Sequence, residues 1–555
     1  MSLHRDTIAL VDRHWAVLAI GTDKRDRGLE VANARLVACA VGRQMRLSYE
    51  ERPSDDDLLR RLALAYEMAA IEGLPSFLNL SQIEDSLRNQ CVAGAWRTFE
   101  LRRLFAVPES IEERIFHVLH LAALAYCGDR WSDIRRWFSE NPEAIAEPSV
   151  ADQPWHSRLL YRLFDCWVRL LRKKGWDDLD RIRETIAGLR EDQRLFEKTS
   201  LDNGSNAQDR AMALRLIAFY NWAKATELLA KYVLQGEPRG INAQLDKHFE
   251  AATDAAAAGG DAQLEVLMRW LHATSRQMVA GSLWWVAHAI NSRVTRFVGS
   301  TTKKQAMFEL LPPQRAALQE QGLLDQAASA VVIDLPTSGG KTLLAQFRIL
   351  QALNQFAEDG GWVAYVVPTR ALSAQITRRL RRDFTPIGIR VEQLTGAVEI
   401  DAIEDEMLSA PGQGEARSFD VLVATPEKLQ LVIRNKKVPR PLALLVLNEA
   451  HNIESEQRGM RIELLLATVK QESTRANFLL LMPFVERADA RSVWAPASGN
   501  QTNALWECFG PRPIPAREPV GECSIKRCSL RRELSIWRGN IRWAASSRSM
   551  WQNRH

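Results

Sequence analysis

The segment Val331-Val-Ile-Asp-Leu-Pro-Thr-Ser-Gly-Gly-Lys-Thr-Leu-Leu344 constrains the fold more than any other part of this chain. An apolar run gives way to the small-residue loop Pro336, Thr337, Ser338, Gly339, Gly340, then Lys341 and Thr342, then a helical pattern. A loop joining a strand to a helix presents successive backbone N–H groups at the helix N-terminus, where they form a nest for an anion. Glycines let the backbone approach closely, a lysine reaches the outer phosphates of a nucleotide, and a threonine hydroxyl can bind Mg²⁺. The expectation is a phosphate-binding loop at the edge of a parallel sheet. Leu335 departs from the usual pattern, which begins with Gly.

Short apolar runs with few polar breaks recur at 330–335, 362–367, 389–394, 419–424, 442–447 and 477–482. Helical patterns separate most of them, which predicts buried parallel strands in an α/β sheet. Ligands of such sheets bind at the carboxyl ends of the strands. The distinctive segments fall there. They are Tyr365-Val-Val-Pro-Thr-Arg-Ala-Leu372, Gln393-Leu-Thr-Gly396, Asp420-Val-Leu-Val-Ala-Thr-Pro-Glu427, Leu444-Leu-Val-Leu-Asn-Glu-Ala-His451 and Glu456-Gln-Arg-Gly459. A further segment, Glu309-Leu-Leu-Pro-Pro-Gln-Arg315, precedes the phosphate loop. Singly, the Thr-Pro and Thr-Gly pairs read as turn punctuation. Together their hydroxyls, N–H groups and one guanidinium can grip phosphates without reading bases.

In order and spacing, these segments resemble the first motor domain of superfamily-2 DExH helicases, in the branch of the superkiller RNA helicase and archaeal repair helicases. The likeness covers roughly residues 306–495. It implies a RecA-like domain that binds ATP and Mg²⁺ and grips DNA or RNA. Gln314 then reads the adenine edge, and Pro336, Thr337, Ser338, Gly339, Gly340, Lys341, Thr342 and His451 line the nucleotide. Pro368, Thr369, Arg370, Thr395, Gly396, Thr425 and Pro426 contact the nucleic-acid backbone, and Glu449 orients the attacking water. The chain departs from the family at Asn448, where an aspartate helps hold the Mg²⁺ shell. An asparagine accepts a hydrogen bond from metal-bound water but removes a negative charge beside the dication. The resemblance thus implies ATP binding with weaker Mg²⁺ retention and slower hydrolysis. A second departure is Leu481-Met-Pro-Phe484, which lacks the hydroxyl-bearing turn that couples hydrolysis to domain movement.

The family motor also needs a second RecA-like domain carrying an arginine finger. Fewer residues follow Phe484 than such a domain requires. From Gln501 to His555 the composition changes to nine Arg, one Lys and four Glu, a net +6, with scattered Trp506, Trp537, Trp543 and Trp551. We therefore expect residues 498–555 to form an irregular basic tail, frameshifted or disordered, and the chain by itself not to unwind duplexes. Cys508, Cys523 and Cys528 lack the Cys-x₂-Cys spacing of a zinc site. The chain carries +5 overall, so residues 1–500 carry 5 − 6 = −1. Bulk charge thus lends no support to nucleic-acid binding, which rests on the strand-end segments.

Residues 1–300 read as helical throughout, as in Leu160, Leu163, Phe164, Trp167, Leu170 and Leu171. The domains expected are therefore an all-α domain over 1–300, a RecA-like ATP-binding domain over 306–497 and the tail. Phe297–Lys304 is expected to be the junction. Met278–Ile290 is apolar but too short to span a bilayer and reads as one buried helix. The N-terminus, with Asp6 and Asp12, is no signal peptide, and unpaired cysteines point to a reducing cytoplasm. The helical domain names no task beyond docking a protein partner, with its Trp residues in the core. Helicases with large helical extensions suggest prokaryotic defence or repair. The alternative is a nucleotide-regulated binding or scaffold module without motor activity.

Overall fold

The computed structural model describes residues 8–45, 53–78, 85–146, 155–200, 207–289, 292–319, 321–335, 339–394, 402–409, 419–483 and 524–528. They form two compact units. One comprises residues up to Trp285 together with Thr302–Glu309, and the other comprises Val286–Thr301 with the chain from Leu310 onward.

The first unit is built of helices. In Trp155–Arg172, Leu160, Leu163, Phe164, Trp167, Leu170 and Leu171 are all buried, so one wide apolar stripe meets the core as the spacing predicts. Trp167 and Trp222 are buried too, and the Trp167 indole N–H donates to Thr226 Oγ1 at 2.9 Å. Trp96, Trp131 and Trp176 are half-buried, while Trp15 and Trp285 are 58% and 39% exposed. Helices end at Gly73, Cys127, Arg172 and Ala258, where Gly and turn residues break the pattern. The expected break at 202–205 lies outside the described residues. Beside the end of Trp155–Arg172, the fully buried Lys173 ammonium pairs with Glu309 at 3.0 Å and donates to the Tyr126 hydroxyl at 3.1 Å. Arg135 completes the cage around the same carboxylate, so this buried charge is paired rather than stranded.

One expectation needs correction here. The apolar stretch at 278–290 is not one helix. Ser282 adopts an extended conformation (ψ 142°), dividing Ala262–Gly281 from Leu283–Ala289, and Leu283 N–H bonds to Phe308 O instead of continuing the helical ladder. The expected junction Phe297–Lys304 contains one of the boundaries between the units, at Thr301 and Thr302. It lies within the helix Ser292–Gln305, and the Phe297 ring packs against Phe347 at 5.6 Å and Phe384 at 5.8 Å.

The second unit is an α/β sheet. Its strands are β1 (Ala330–Leu335), β2 (Trp362–Val366), β3 (Val391–Gln393), β4 (Val421–Ala424), β5 (Leu442–Asn448), β6 (Asn477–Pro483) and β7 (Ser524–Cys528). Its helices are α1 (Pro312–Gln319), α2 (Lys341–Gln355), α3 (Arg370–Phe384), α4 (Ala402–Ser409), α5 (Pro426–Arg434) and α6 (Glu456–Glu472). The sheet order is β3-β4-β2-β5-β6-β1-β7, with the first six strands parallel. Each of the six falls on an expected apolar run, because a parallel strand covered on both faces must be apolar at nearly every position. Leu445, Leu447, Phe478 and Leu480 pack one face against Leu429 and Val432 of α5 and Leu465 and Val469 of α6. Within the segment expected as a tail, the described residues Ser524–Cys528 form β7 and pair antiparallel with Ala330–Asp334 of β1.

Candidate nucleotide and nucleic-acid site

Parallel strands point all their carboxyl ends to one edge, and α2, α3 and α5 begin there directly after β1, β2 and β4. Pro336, Thr337 and Ser338 lie outside the described residues. Gly340 is the N-cap of α2 with φ +76°, a left-handed conformation that favours glycine. A Cβ at Gly340 would also displace Nε2 of Gln314. Gln314, 5% exposed on α1, is held at both ends. Its Oε1 accepts from Leu311 N–H at 3.0 Å, and its Nε2 donates to Gly339 O at 3.2 Å. The residue expected to read adenine therefore sits directly on the glycine loop.

Lys341 opens α2 and is 7% exposed. Its ammonium donates to Leu335 O at 3.1 Å. Burial lowers its pKa, while the charges of Glu449 and Asp334 oppose that shift. A partly desolvated ammonium at the N-terminus of a helix can attract an anion. Thr342 follows in the first turn of α2, half-buried.

Asn448 is the last residue of β5, paired in register with Leu481 and 9% exposed. The chain then turns at Glu449, whose φ of +57° is unusual for a side chain other than glycine. Two hydrogen bonds hold that turn: Asn452 N–H at 3.0 Å and Asn452 Nδ2 at 2.8 Å both donate to Glu449 O. Asn452, which holds this turn, was not singled out by the sequence pattern. His451 Nδ1 lies 3.4 Å from Glu449 Oε2. Thus Lys341 and Glu449 are close enough for their charges to interact, and His451 contacts that carboxylate.

β2 and β4 are neighbours, so α3 and α5 start at adjacent points on the strand-end edge. Thr369 is an exposed N-cap whose Oγ1 accepts from Leu372 N–H at 3.3 Å. Pro368 before it is half-buried, and Arg370 after it is exposed. Thr425, half-buried, is the N-cap of α5, and Pro426 fills its first helical position, where a missing N–H costs nothing. Thr395 and Gly396 lie outside the described residues.

The strand order and placement of these loops define a RecA-like α/β domain. The chain carries the first motor domain of a superfamily-2 helicase: the DEAD/DEAH box helicase family matches residues 312–482. Over 195 residues the chain is 33% identical to the ATP-dependent DNA helicase Hel308 of Methanocella arvoryzae, covering 34% of this chain and 24% of that protein. The Hachiman protein HamB of Bacillus cereus is 24% identical over 293 residues, 51% of this chain and 24% of that one. The crystal structure of the DUF1998 helicase MrfA bound to DNA is similar at a TM-score of 0.28 and 17% identity, covering 37% of this chain and 28% of that one. The chain thus matches about a quarter of the length of its curated relatives, 24% in both cases.

Proposed function

We propose that this domain is an ATP-dependent motor element that binds ATP with Mg²⁺ at the β1–α2 loop and grips a DNA strand at the N-termini of α3 and α5. The observation that carries this reading is the environment of Lys341: a buried ammonium at the start of α2, answered by a carbonyl and within range of the Glu449 charge, directly after the glycine loop that Gln314 holds at Gly339. Lys341 takes the outer phosphates, Gly339 and Gly340 offer N–H groups, and Gln314 turns an amide toward the base.

The polar groups fit a phosphate-bound dication: the Thr342 hydroxyl in the first turn of α2 and the Asn448 carboxamide at the end of β5 would hold Mg²⁺. Bound there, Mg²⁺ shields phosphate charge. Glu449 accepts the proton of the attacking water, and Asn452 fixes the turn that aims it. Thr369, Arg370 and Thr425 contact the strand backbone without reading sequence. DNA is favoured because the Hel308 relatives are named DNA helicases. The helical unit, which carries none of these groups, is read as the platform for a protein partner in a cytoplasmic defence or repair assembly.

Phosphate release from ATP, measured with and without single-stranded DNA, tests the reading. Stimulation by DNA that Glu449→Gln abolishes is the expected result. ATP binding with no turnover in either condition favours the second reading, a nucleotide-regulated binding module. Asn448 is the observation behind that alternative, since it removes a carboxylate from the Mg²⁺ site.

A further inference from the structure

Arg348 is the least expected residue of α2. It sits among Phe347, Ile349 and Leu350, is 1% exposed, and lies two turns below Lys341 on the same face of the helix, about 10 Å along the axis. Its guanidinium is spent on main-chain carbonyls of the loop 321–328. Nη1 donates to Leu323 O at 3.1 Å and Asp325 O at 2.9 Å, and Nη2 donates to Ala328 O at 2.6 Å. Nη1 also reaches Gln351 Oε1 at 2.8 Å, and Gln351 in turn bonds to Leu324 O. One buried cation and its neighbour therefore pin four carbonyls of a single loop.

That loop is the tail of α1. Gln321 N–H closes on Ala316 O at 2.9 Å and Leu323 N–H on Ala317 O at 3.1 Å, using carbonyls that the helix end would otherwise leave open. At its other end α1 carries Gln314, which touches Gly339 O in the phosphate loop. Helix α1 is thus fastened to α2 twice, at the glycine loop by Gln314 and two turns down by Arg348. Burial brings the Arg348 pKa down to about 10, so the cation is held at a cost that only well-placed acceptors offset.

We propose that Arg348 is a positioning residue for base selectivity: by fixing loop 321–328 to α2, it fixes the height of Gln314 over the glycine loop and hence the preference for adenine. The proposal rests on the ATP-binding reading above. Gln314 Nε2 reaches Gly339 O at 3.2 Å, so a shift of about 1 Å of α1 against the glycine loop breaks that bond. The triphosphate cradle, built from Gly339, Gly340, Lys341 and Thr342, does not pass through the loop. Selectivity and phosphate affinity should therefore separate.

The test titrates fluorescent ATP and GTP analogues, with inorganic tripolyphosphate as competitor, against the full chain and its variants Arg348→Met, Arg348→Lys, Gln351→Met and Gln314→Ala. In Arg348→Met the ATP-over-GTP ratio should fall about three- to tenfold, the worth of one hydrogen bond, with tripolyphosphate affinity unchanged. Arg348→Lys should fall between it and wild type. Gln351→Met keeps the arginine and supplies the same comparison if Arg348→Met fails to fold. A selectivity ratio kept in the Arg348 and Gln351 variants but lost in Gln314→Ala overturns the role of Arg348 alone. Equal selectivity in wild type and Gln314→Ala overturns the adenine reading itself. A parallel loss of nucleotide and tripolyphosphate binding also overturns the proposal, since it marks a general structural role.

Discussion

Replacing Asn448 by aspartate is nearly isosteric and changes the charge of the site alone. Asn448 is 9% exposed and precedes Glu449 in the chain, so the new carboxylate is desolvated and meets a like charge. Both effects raise its pKa. Each pKa unit is about 1.4 kcal/mol, so the ligand-free domain should lose about 1–3 kcal/mol near pH 7.5. For a domain of this size that is roughly 3–10 °C in melting temperature. The deficit should shrink as pH falls through the raised pKa, because the protonated carboxyl resembles the amide it replaced. Mg²⁺ with a non-hydrolysable ATP analogue supplies the missing counter-charge, so the ligand-induced stabilisation should be larger in the variant than in wild type. Differential scanning fluorimetry in EDTA, in Mg²⁺ and in Mg²⁺ with nucleotide measures all three quantities. A variant as stable as wild type without ligand, and no more responsive to Mg²⁺, would refute the placement of Asn448 beside the metal.

Two further outcomes follow from particular contacts. Burial pushes the Glu67 carboxyl up, but His120 at 3.0 Å and Arg102 at 2.5 Å outweigh it and bring its pKa down to about 2. A carboxyl lowered from 4.5 to about 2 contributes about 3 kcal/mol, present above pH 4.5 and lost as pH falls toward 2; Glu67→Gln should flatten that acid limb in urea titrations between pH 2 and 6. Arg370→Ala should weaken single-stranded DNA binding by a similar factor for every sequence and reduce the slope of log affinity against log salt by about 0.7, as the loss of one phosphate contact requires; polarisation titrations at several salt concentrations read both.

The sheet was legible in the sequence because burial on both faces leaves little choice of residue. β1 runs from Ala330 to Leu335 as its apolar run predicted, and β5 extends the expected 442–447 by the single residue Asn448. The helix starts at the strand ends were legible too: Gly340, Thr369 and Thr425 are N-caps and Lys341 opens its helix, positions where residue type matters. What escaped depends on contacts distant in sequence. Ser282 breaks an apolar stretch because Leu283 N–H finds Phe308 O. The ring partners of Phe297, Phe347 and Phe384, lie far along the chain from it. β7 has no strong apolar pattern of its own and exists by pairing with β1. Arg348 left one trace, a cation flanked by Phe347 and Ile349 within a helix, but most of its acceptors are carbonyls, which no side-chain pattern reveals.

Nucleotide binding at Lys341 is the most direct measurement of the central claim. Titration of a fluorescent ATP analogue in Mg²⁺ against wild type and Lys341→Ala isolates the buried ammonium at the start of α2. Losing a charge-assisted contact of about 1.5–3 kcal/mol should weaken binding roughly ten- to a hundredfold, with the variant's fold intact. Equal affinity in the two proteins would contradict the assignment of the β1–α2 loop as the phosphate site.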